Sequence, residues 1–262
     1  MYSNIYPDMR NAIQRHKFIL EQLKENGCVK VLELSDQLNV SEVTIRKDLQ
    51  YLEDRKLLIR HHGSASTPNL LISDTHIDIK EKLHTEEKER IAKAANKLLK
   101  ADDKIIIASG TTLLAFAKNI EIQGNLTVIT SAIKVSLALC YSPNIEVIQL
   151  GGTMRKSSAS VIGHFAENIL ETFSCNKLFI GVDGIDLNHG FTTSNANESY
   201  INQQMINAAD EVIVLTDSSK FEKRGFSKIC DLNKVNRIVT DTNAPAYMVE
   251  VLKKRGIEII LV

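Results

Sequence analysis

The chain carries no excess of either charge. Its 262 residues hold 32 Lys and Arg against 32 Asp and Glu, so the formal net charge at pH 7 is zero. That excludes a polycationic nucleic-acid coat, while a local basic face stays compatible with it. Cysteine is sparse: Cys28, Cys140, Cys175 and Cys230 make no Cys-x-x-Cys pair and no cluster with histidine. A zinc finger and a disulfide framework are therefore not expected, and a reducing cytoplasm is the simplest setting. The opening Met1-Tyr2-Ser3-Asn4-Ile5-Tyr6-Pro7-Asp8 lacks the apolar core of a signal peptide. No stretch approaches the roughly 18 apolar residues of a membrane span. Low-complexity tracts and short repeats are also missing. A cytoplasmic protein without membrane contact is the expectation.

What is present is an ordinary globular composition, 44% hydrophobic and 24% charged. The length suits one large domain or two unequal ones, with core enough to stand without disulfides. Two textures meet. Residues 10–60 read as short helices, and from 104 onward short apolar strands alternate with helical stretches. Between them, Gly63-Ser64-Ala65-Ser66-Thr67-Pro68-Asn69 is a run of turn formers. This predicts a first domain over residues 1–66 and a second over 67–262. In the second, Ile91, Ala94, Ala95, Leu98 and Leu99 recur at helical spacing. Strands are expected at 104–108, 126–130, 145–150, 178–182, 211–215, 237–240 and 257–261, with helices between them, such as 113–119 and 198–209. Most of these strands are continuously apolar, as in a parallel sheet covered on both faces. The fold class is α/β, a layered domain with a mostly parallel sheet.

The first domain has the pattern of a helix-turn-helix. Ile13, Phe18, Ile19 and Leu23 give one helix an apolar stripe, and Gly27 suits its C-terminal turn. A second helix spans about 31–38, Asn39-Val40 turns, and Ser41 is an N-cap for a third. There Ile45, Leu49 and Leu52 share one face, while Glu42, Thr44, Arg46, Lys47 and Gln50 occupy the other. Such a helix can lie in the major groove, with its early residues near base edges and Arg46 and Lys47 meeting bases or phosphates. Leu57-Leu58-Ile59-Arg60 followed by His61-His62-Gly63 reads as a wing, with Arg60 placed for a phosphate. The acidic neighbours Glu42, Asp48, Glu53 and Asp54 oppose that reading, and a solvated packing module is the alternative. His61 and His62 lack a third ligand nearby, so no metal is expected.

In the second domain four loops fall at strand ends. Ser109-Gly110-Thr111-Thr112 precedes a helix and can offer amides and hydroxyls to a phosphate. Gly151-Gly152-Thr153 has Arg155 just beyond it. Gly181-Val182-Asp183-Gly184 and Asp217-Ser218-Ser219-Lys220-Phe221 follow later strands. Ligands in open α/β sheets bind beyond the C-terminal ends of strands, so these loops are expected to converge on one cleft. Lys220 or Arg155 would neutralise a phosphate, and Asp183 would accept from sugar hydroxyls. Neither a Walker A loop nor a G-x-G-x-x-G fingerprint is present, and no cofactor is expected.

Ser35-Asp36-Gln37-Leu38-Asn39-Val40-Ser41-Glu42-Val43-Thr44-Ile45-Arg46-Lys47-Asp48-Leu49 resembles the N-terminal signature of DeoR-type bacterial transcription regulators. Arg60-His61-His62-Gly63-Ser64-Ala65 resembles that family's His-Gly-Gly-Ala wing, with Ser64 in place of the second glycine. The resemblance brings His62 into the DNA-binding set of Ser41, Thr44, Arg46, Lys47 and Arg60. It continues through Ser109-Gly110-Thr111-Thr112, Leu150-Gly151-Gly152, 179–185, Gly190-Phe191-Thr192-Thr193, Glu198 and 217–221, which look like the family's sensor domain. It thereby adds Ser131 and Thr193 to an effector set of Ser109, Gly110, Thr111, Thr112, Gly151, Gly152, Arg155, Asp183, Gly184 and Lys220. It implies a winged helix-turn-helix joined to a ribose-5-phosphate isomerase-like domain. The implied protein is a regulator, most often a repressor of a carbohydrate operon. It would be a homodimer or homotetramer that binds a double-stranded DNA operator and responds to a small phosphorylated sugar. Two positions depart from the pattern: Ala108 stands where the family has Asp, and Thr130-Ser131 lacks an intervening Asn. Loss of that carboxylate and amide predicts an atypical effector or a lower affinity. A sugar-phosphate isomerase with an appended helical module is the competing reading, with Asp183, Asp186 or Glu198 as base and Lys220 as enediolate stabiliser.

Overall fold

Apolar side chains at helical spacing need something to pack against, and in the first unit three helices and a small sheet supply it for each other. A computed structural model describes residues 11–26, 28–55, 57–61, 63–66 and 75–262, divided into units Met1–Leu70 and Leu71–Val262. The first contains α1 (Ala12–Asn26), β1 (Cys28–Lys30), α2 (Val31–Leu38), α3 (Glu42–Asp54), β2 (Ile59–His61) and β3 (Ser64–Ser66). Ile19 and Leu23 of α1 meet Val31, Leu34 and Leu38 of α2, Ile45, Leu49 and Leu52 of α3, and Val29, Leu58 and Ala65. The turn between α2 and α3 is set by Asn39 in the left-handed region, at φ 50°. The Asn39 and Val40 amides both donate to the Ser35 carbonyl, and the Ser35 hydroxyl returns a bond to the Val40 carbonyl at 2.6 Å. Ser41 then caps α3 by accepting from the Thr44 amide at 3.2 Å. The wing is an antiparallel sheet of order β1-β3-β2, with Ala65 paired to both Val29 and Arg60.

Two expectations for this unit are corrected. Ile13 does not join the apolar stripe of α1: it is 76% exposed, because it lies in the first turn, before the helix reaches the core. Asp48 does not counter the basic face of α3. It points inward and takes a bidentate bond from Arg15, at 2.7 and 3.0 Å, and a third contact from His16 at 2.9 Å. Both partners of the Arg15–Asp48 pair are buried, so the pair ties α1 to α3 inside the unit. The Gly27 turn and the Thr67-Pro68-Asn69 part of the linker lie outside the described residues.

The second unit begins with α4 (Ile77–Glu81) and α5 (Thr85–Asn96). The helix expected across Leu98 and Leu99 ends at Asn96. Those two leucines pack against the core from the following turns, which lead into the first strand. Then come β4 (Lys104–Ile107), α6 (Thr111–Lys118), β5 (Leu126–Thr130), α7 (Ile133–Leu139), β6 (Ile145–Gln149), β7 (Thr153–Arg155), β8 (Ser160–Ile162), α8 (His164–Leu170) and β9 (Cys175–Ile180). β10 (Gly184–Asp186), β11 (Gly190–Thr193), α9 (Ala196–Asn207), β12 (Ala209–Leu215), β13 (Ser227–Cys230), β14 (Arg237–Thr240), α10 (Ala246–Lys254) and β15 (Glu258–Leu261) complete it. All seven expected strands form one sheet of order β15-β14-β12-β9-β4-β5-β6, and every pairing is parallel. Their continuous apolar runs are explained by burial: Ile105, Ile106, Ile107, Leu178, Phe179, Ile213 and Val214 are fully covered. The short hairpin β7-β8 and the sheet β10-β11-β13 are additions that the apolar pattern does not signal. Three- and four-residue strands leave no periodicity to read.

From β4 the chain steps one way, to β5 and β6. β9 lies on the other flank of β4 and the chain then steps away through β12, β14 and β15. The order therefore reverses between β4 and β9, which opens a crevice at their C-terminal ends.

Removing the Asp48 carboxylate would take the bidentate acceptor from the buried Arg15 guanidinium. Asp48→Ala is expected to destabilise the first unit by about 3–5 kcal/mol. Urea unfolding of the full chain, followed by helix circular dichroism, checks this; a loss below about 1 kcal/mol would contradict the structural role assigned to the pair.

Candidate functional site

The outer face of α3 runs through Val43, Arg46, Lys47 and Gln50, spaced i, i+3, i+4 and i+7. Arg46 is held by Glu42 at 2.6 Å, an exposed pair that a phosphate or base edge can replace at small cost. Lys47 makes no ion pair among the described residues. The Ser41 and Thr44 hydroxyls bond each other at 2.9 Å at the cap, where both remain next to solvent. Arg60 on the wing strand contacts the Gln50 side chain and lies 3.8 Å from Glu53, while its amide donates to Glu53 at 2.9 Å. Those bonds hold the wing strand to α3. His62 lies outside the described residues. Val43, an aliphatic side chain 58% exposed among these polar groups, is a surface feature that the apolar periodicity of α3 does not flag.

In the second unit the crevice is built around Asp183, which follows β9. Its carboxylate accepts from the Lys80 ammonium at 2.7 Å, the Ser194 amide at 3.1 Å and the Thr193 hydroxyl at 3.2 Å. The Thr193 hydroxyl also lies 3.4 Å from Glu198, which takes a bond from Arg155 at 3.1 Å. Asp183, Thr193, Ser194, Glu198, Arg155 and Lys80 are thus one connected network. Burial pushes the Asp183 carboxyl upward, but the Lys80 charge and hydrogen bond, Lys220 and the Ser194 amide outweigh it and bring it down to about 2. Glu198 goes the other way, because burial outweighs Ser158 and Arg155. Asp217 is buried as well, yet Lys220 and the Ser219 bonds hold it below the usual carboxylate range. Lys220, half-buried, makes no ion pair among the described residues. The Ser194 hydroxyl is buried and has no hydrogen-bond partner among the described residues.

The other expected residues have distinct placements. Ser109 and Gly110 lead into α6, whose first turn has no side-chain cap, so the Thr111 and Thr112 amides face the crevice end of β4. A Cβ on Gly181 would stand 3.6 Å from the Ser109 carbonyl, so the β4 and β9 loops abut. Ser131 is buried after β5, and its carbonyl accepts from Val161. Gly151 is open, whereas a Cβ on Gly152, at φ 150°, would strike Val161 and the Ile162 carbonyl. Gly184 is dictated by packing, since a Cβ there would stand 2.4 Å from the Lys223 carbonyl. Arg155 is buried and pairs with Glu198 at 3.1 Å. Asp186 spends its carboxylate on the Asn188 and His189 amides of its own turn, so it is not a poised base. Lys80 and Ser194 are additions to the expected set. The Lys80–Asp183 bond spans 103 residues, and no local pattern could have announced it.

A group whose carboxyl is depressed on folding stabilises the folded chain above its unfolded value and loses that contribution as pH falls toward its folded value. For Asp183 the window runs from about pH 4 down to about 2, and the contribution is about 2 kcal/mol. Asp183→Asn is expected to flatten the acid limb of stability in that window. Urea unfolding at stepped pH, wild type against variant, measures it; parallel curves would refute the assignment.

Among the described residues no helix is long and apolar enough to cross a membrane. Residues 15–69 match the DeoR-like helix-turn-helix domain and residues 83–242 the DeoR C terminal sensor domain. The chain is 36% identical over 246 residues to the uncharacterized HTH-type transcriptional regulator YulB of Bacillus subtilis (strain 168), covering 94% of this chain and 95% of that one. It is 34% identical over 247 residues to the lactose phosphotransferase system repressor of Lactococcus lactis subsp. lactis, covering 92% and 95%. Ribose 5-phosphate isomerase A from Methanocaldococcus jannaschii overlays 52% of this chain and 54% of its own at 17% identity and a TM-score of 0.39. A recognition helix with its wing, followed by a sensor domain, identifies a transcription regulator and not an isomerase: the chain belongs to the DeoR family.

Proposed function

We propose that this chain represses a carbohydrate-utilisation operon and is controlled by a phosphorylated sugar. The DNA-binding part would span residues 1–66 and the effector-binding part 67–262. The reading is carried by the Asp183 network at the strand-order reversal. One carboxylate suited to sugar hydroxyls is bonded by Lys80 and feels the charge of Lys220, and the first turn of α6 is uncapped by any side chain. A phosphate would sit beside the Ser109-Gly110-Thr111-Thr112 turn and Lys220, and its sugar would reach Asp183, Thr193 and the buried Ser194 hydroxyl. Ser131, Gly151, Gly152 and Gly184 would shape the walls, with Arg155 acting through Glu198. Similarity to a lactose phosphotransferase system repressor supports a carbohydrate setting.

On the DNA side, Arg46, released from Glu42, and Lys47 would meet bases and phosphates, with Ser41 and Thr44 at the helix start. Arg60 and His62 would reach the backbone from the wing. Symmetric half-sites call for a dimer or a tetramer of the chain. The effector would act only through different affinities for the DNA-competent and DNA-incompetent states. A cytoplasmic setting follows from a DNA partner in a bacterial-type regulator.

Duplexes selected from a random library by the full chain provide the test. Arg46→Ala is expected to weaken binding by about 1–3 kcal/mol and relax base preference, and Lys47→Ala to lower the salt slope by about one. In a thermal-shift panel, a phosphorylated sugar should raise Tm and change duplex affinity, whereas its unphosphorylated counterpart should not. A chain that holds no duplex above random competitor, with or without sugars, overturns the proposal.

A further inference from the structure

α4 lies between the two family-matched regions, which end at residue 69 and resume at 83. Only Ile77 of this helix is buried, and Ile79 and the following Leu83 are exposed. Its hold on the sensor unit is therefore mostly polar. The Ile77 amide donates to the Ser157 carbonyl at 2.7 Å. Lys134 bridges Asp78 and Glu81 at 2.6 and 2.8 Å, and Lys118 reaches Glu81 at 3.3 Å. The buried Lys88 ammonium donates to the Lys80 and Leu83 carbonyls, both at 2.5 Å. Lys80 alone extends from α4 into the crevice network, onto Asp183.

The cations around Asp183 are not equivalent. Arg155 is engaged by Glu198, and Lys88 is spent on backbone carbonyls. Lys80 bonds Asp183 directly, whereas Lys220 acts on Asp183 and Asp217 through its charge alone, so Lys80 is the cation that an incoming anion would draw off Asp183. Lys80 is about one-quarter exposed and can leave its partner without unfolding anything. A phosphate is the stronger acceptor for an ammonium, while sugar hydroxyls can satisfy the carboxylate left behind.

We propose that Lys80 is an effector-binding residue, giving up Asp183 for the effector's phosphate, and that this exchange shifts α4. The inference rests on the effector reading above. It places the first element after the linker inside the ligand site, so that occupancy reaches the DNA-binding unit along the chain itself. Contact between the exchanging groups supplies the differential affinity that coupling requires.

The full chain is tested with the phosphorylated sugar that most raises wild-type Tm and with duplex selected from a random library. Lys80→Gln is expected to weaken that sugar phosphate about 10-fold or more. It is also expected to move effector-free duplex affinity to the value that wild type shows with effector, and Lys80→Arg to restore both. Hydrogen exchange of wild type should show faster exchange of the α4 amides when the sugar phosphate is bound, a readout that does not depend on the variants folding. Unchanged sugar-phosphate affinity in Lys80→Gln, or α4 exchange indifferent to the ligand, overturns the inference. If no phosphorylated sugar stabilises wild type, the effector reading fails. Lys80→Gln with wild-type effector-free duplex affinity then overturns the present inference as well, and an altered affinity supports the Lys80 link to DNA binding.

Discussion

Parallel strands that neighbour each other but send their connections in opposite directions cannot both cover the space above their ends. That constraint, between β4 and β9, governs the second unit. The loops carrying Ser109 and Asp183 are forced side by side there, and the first turn of α6 keeps its amides without a side-chain cap. A carboxylate placed in such a crevice is partly stripped of water, and burial alone would push it toward its neutral form. It stays ionised because Lys80, Lys220 and the Ser194 amide are gathered around it. Those groups come from α4, the loop after β12 and the turn after β11, so the crevice organises four distant parts of the chain.

The two units divide their interactions in the same manner. Each has its own apolar core: α1 to α3 and the wing in one, and the parallel sheet with its helices in the other. Burial of apolar surface holds these cores, and it does not switch. The parts suited to exchanging partners are held by ion pairs at half-exposed or exposed positions, such as Arg46 on Glu42, Lys80 on Asp183 and Lys134 on Asp78 and Glu81. The exposed pairs among them contribute little net stability, and all of them can be replaced by a phosphate of DNA or of a metabolite. Arg15–Asp48 is the contrasting case, a buried bidentate pair that fixes helix packing.

Much of this was legible along the chain. Apolar runs marked all seven strands of the main sheet, and the Ser41 cap with Ile45, Leu49 and Leu52 marked the recognition helix. The loops after β4, β9 and β12 were recognisable by their small and polar residues at strand ends. Where the reading failed, a long-range partner decided. Asp48, read as a surface acid, is internal because Arg15 is there to receive it. The partners of Arg155 and Gly184 are likewise distant in sequence: Arg155 donates to Glu198, 43 residues on, and Gly184 lies close against the Lys223 carbonyl.

Residue order alone settled the period of each segment, the turn at Asn39, the N-cap at Ser41 and the family, since these depend on neighbours within a few positions. Tertiary structure alone decided which charges meet: Lys80 with Asp183, Arg155 with Glu198, Arg15 with Asp48. The physical reason is range. Hydrogen bonding and burial within a helix or strand are written in a local pattern, whereas an ion pair across 103 residues exists only once the sheet has ordered its strands and turned their ends to one side.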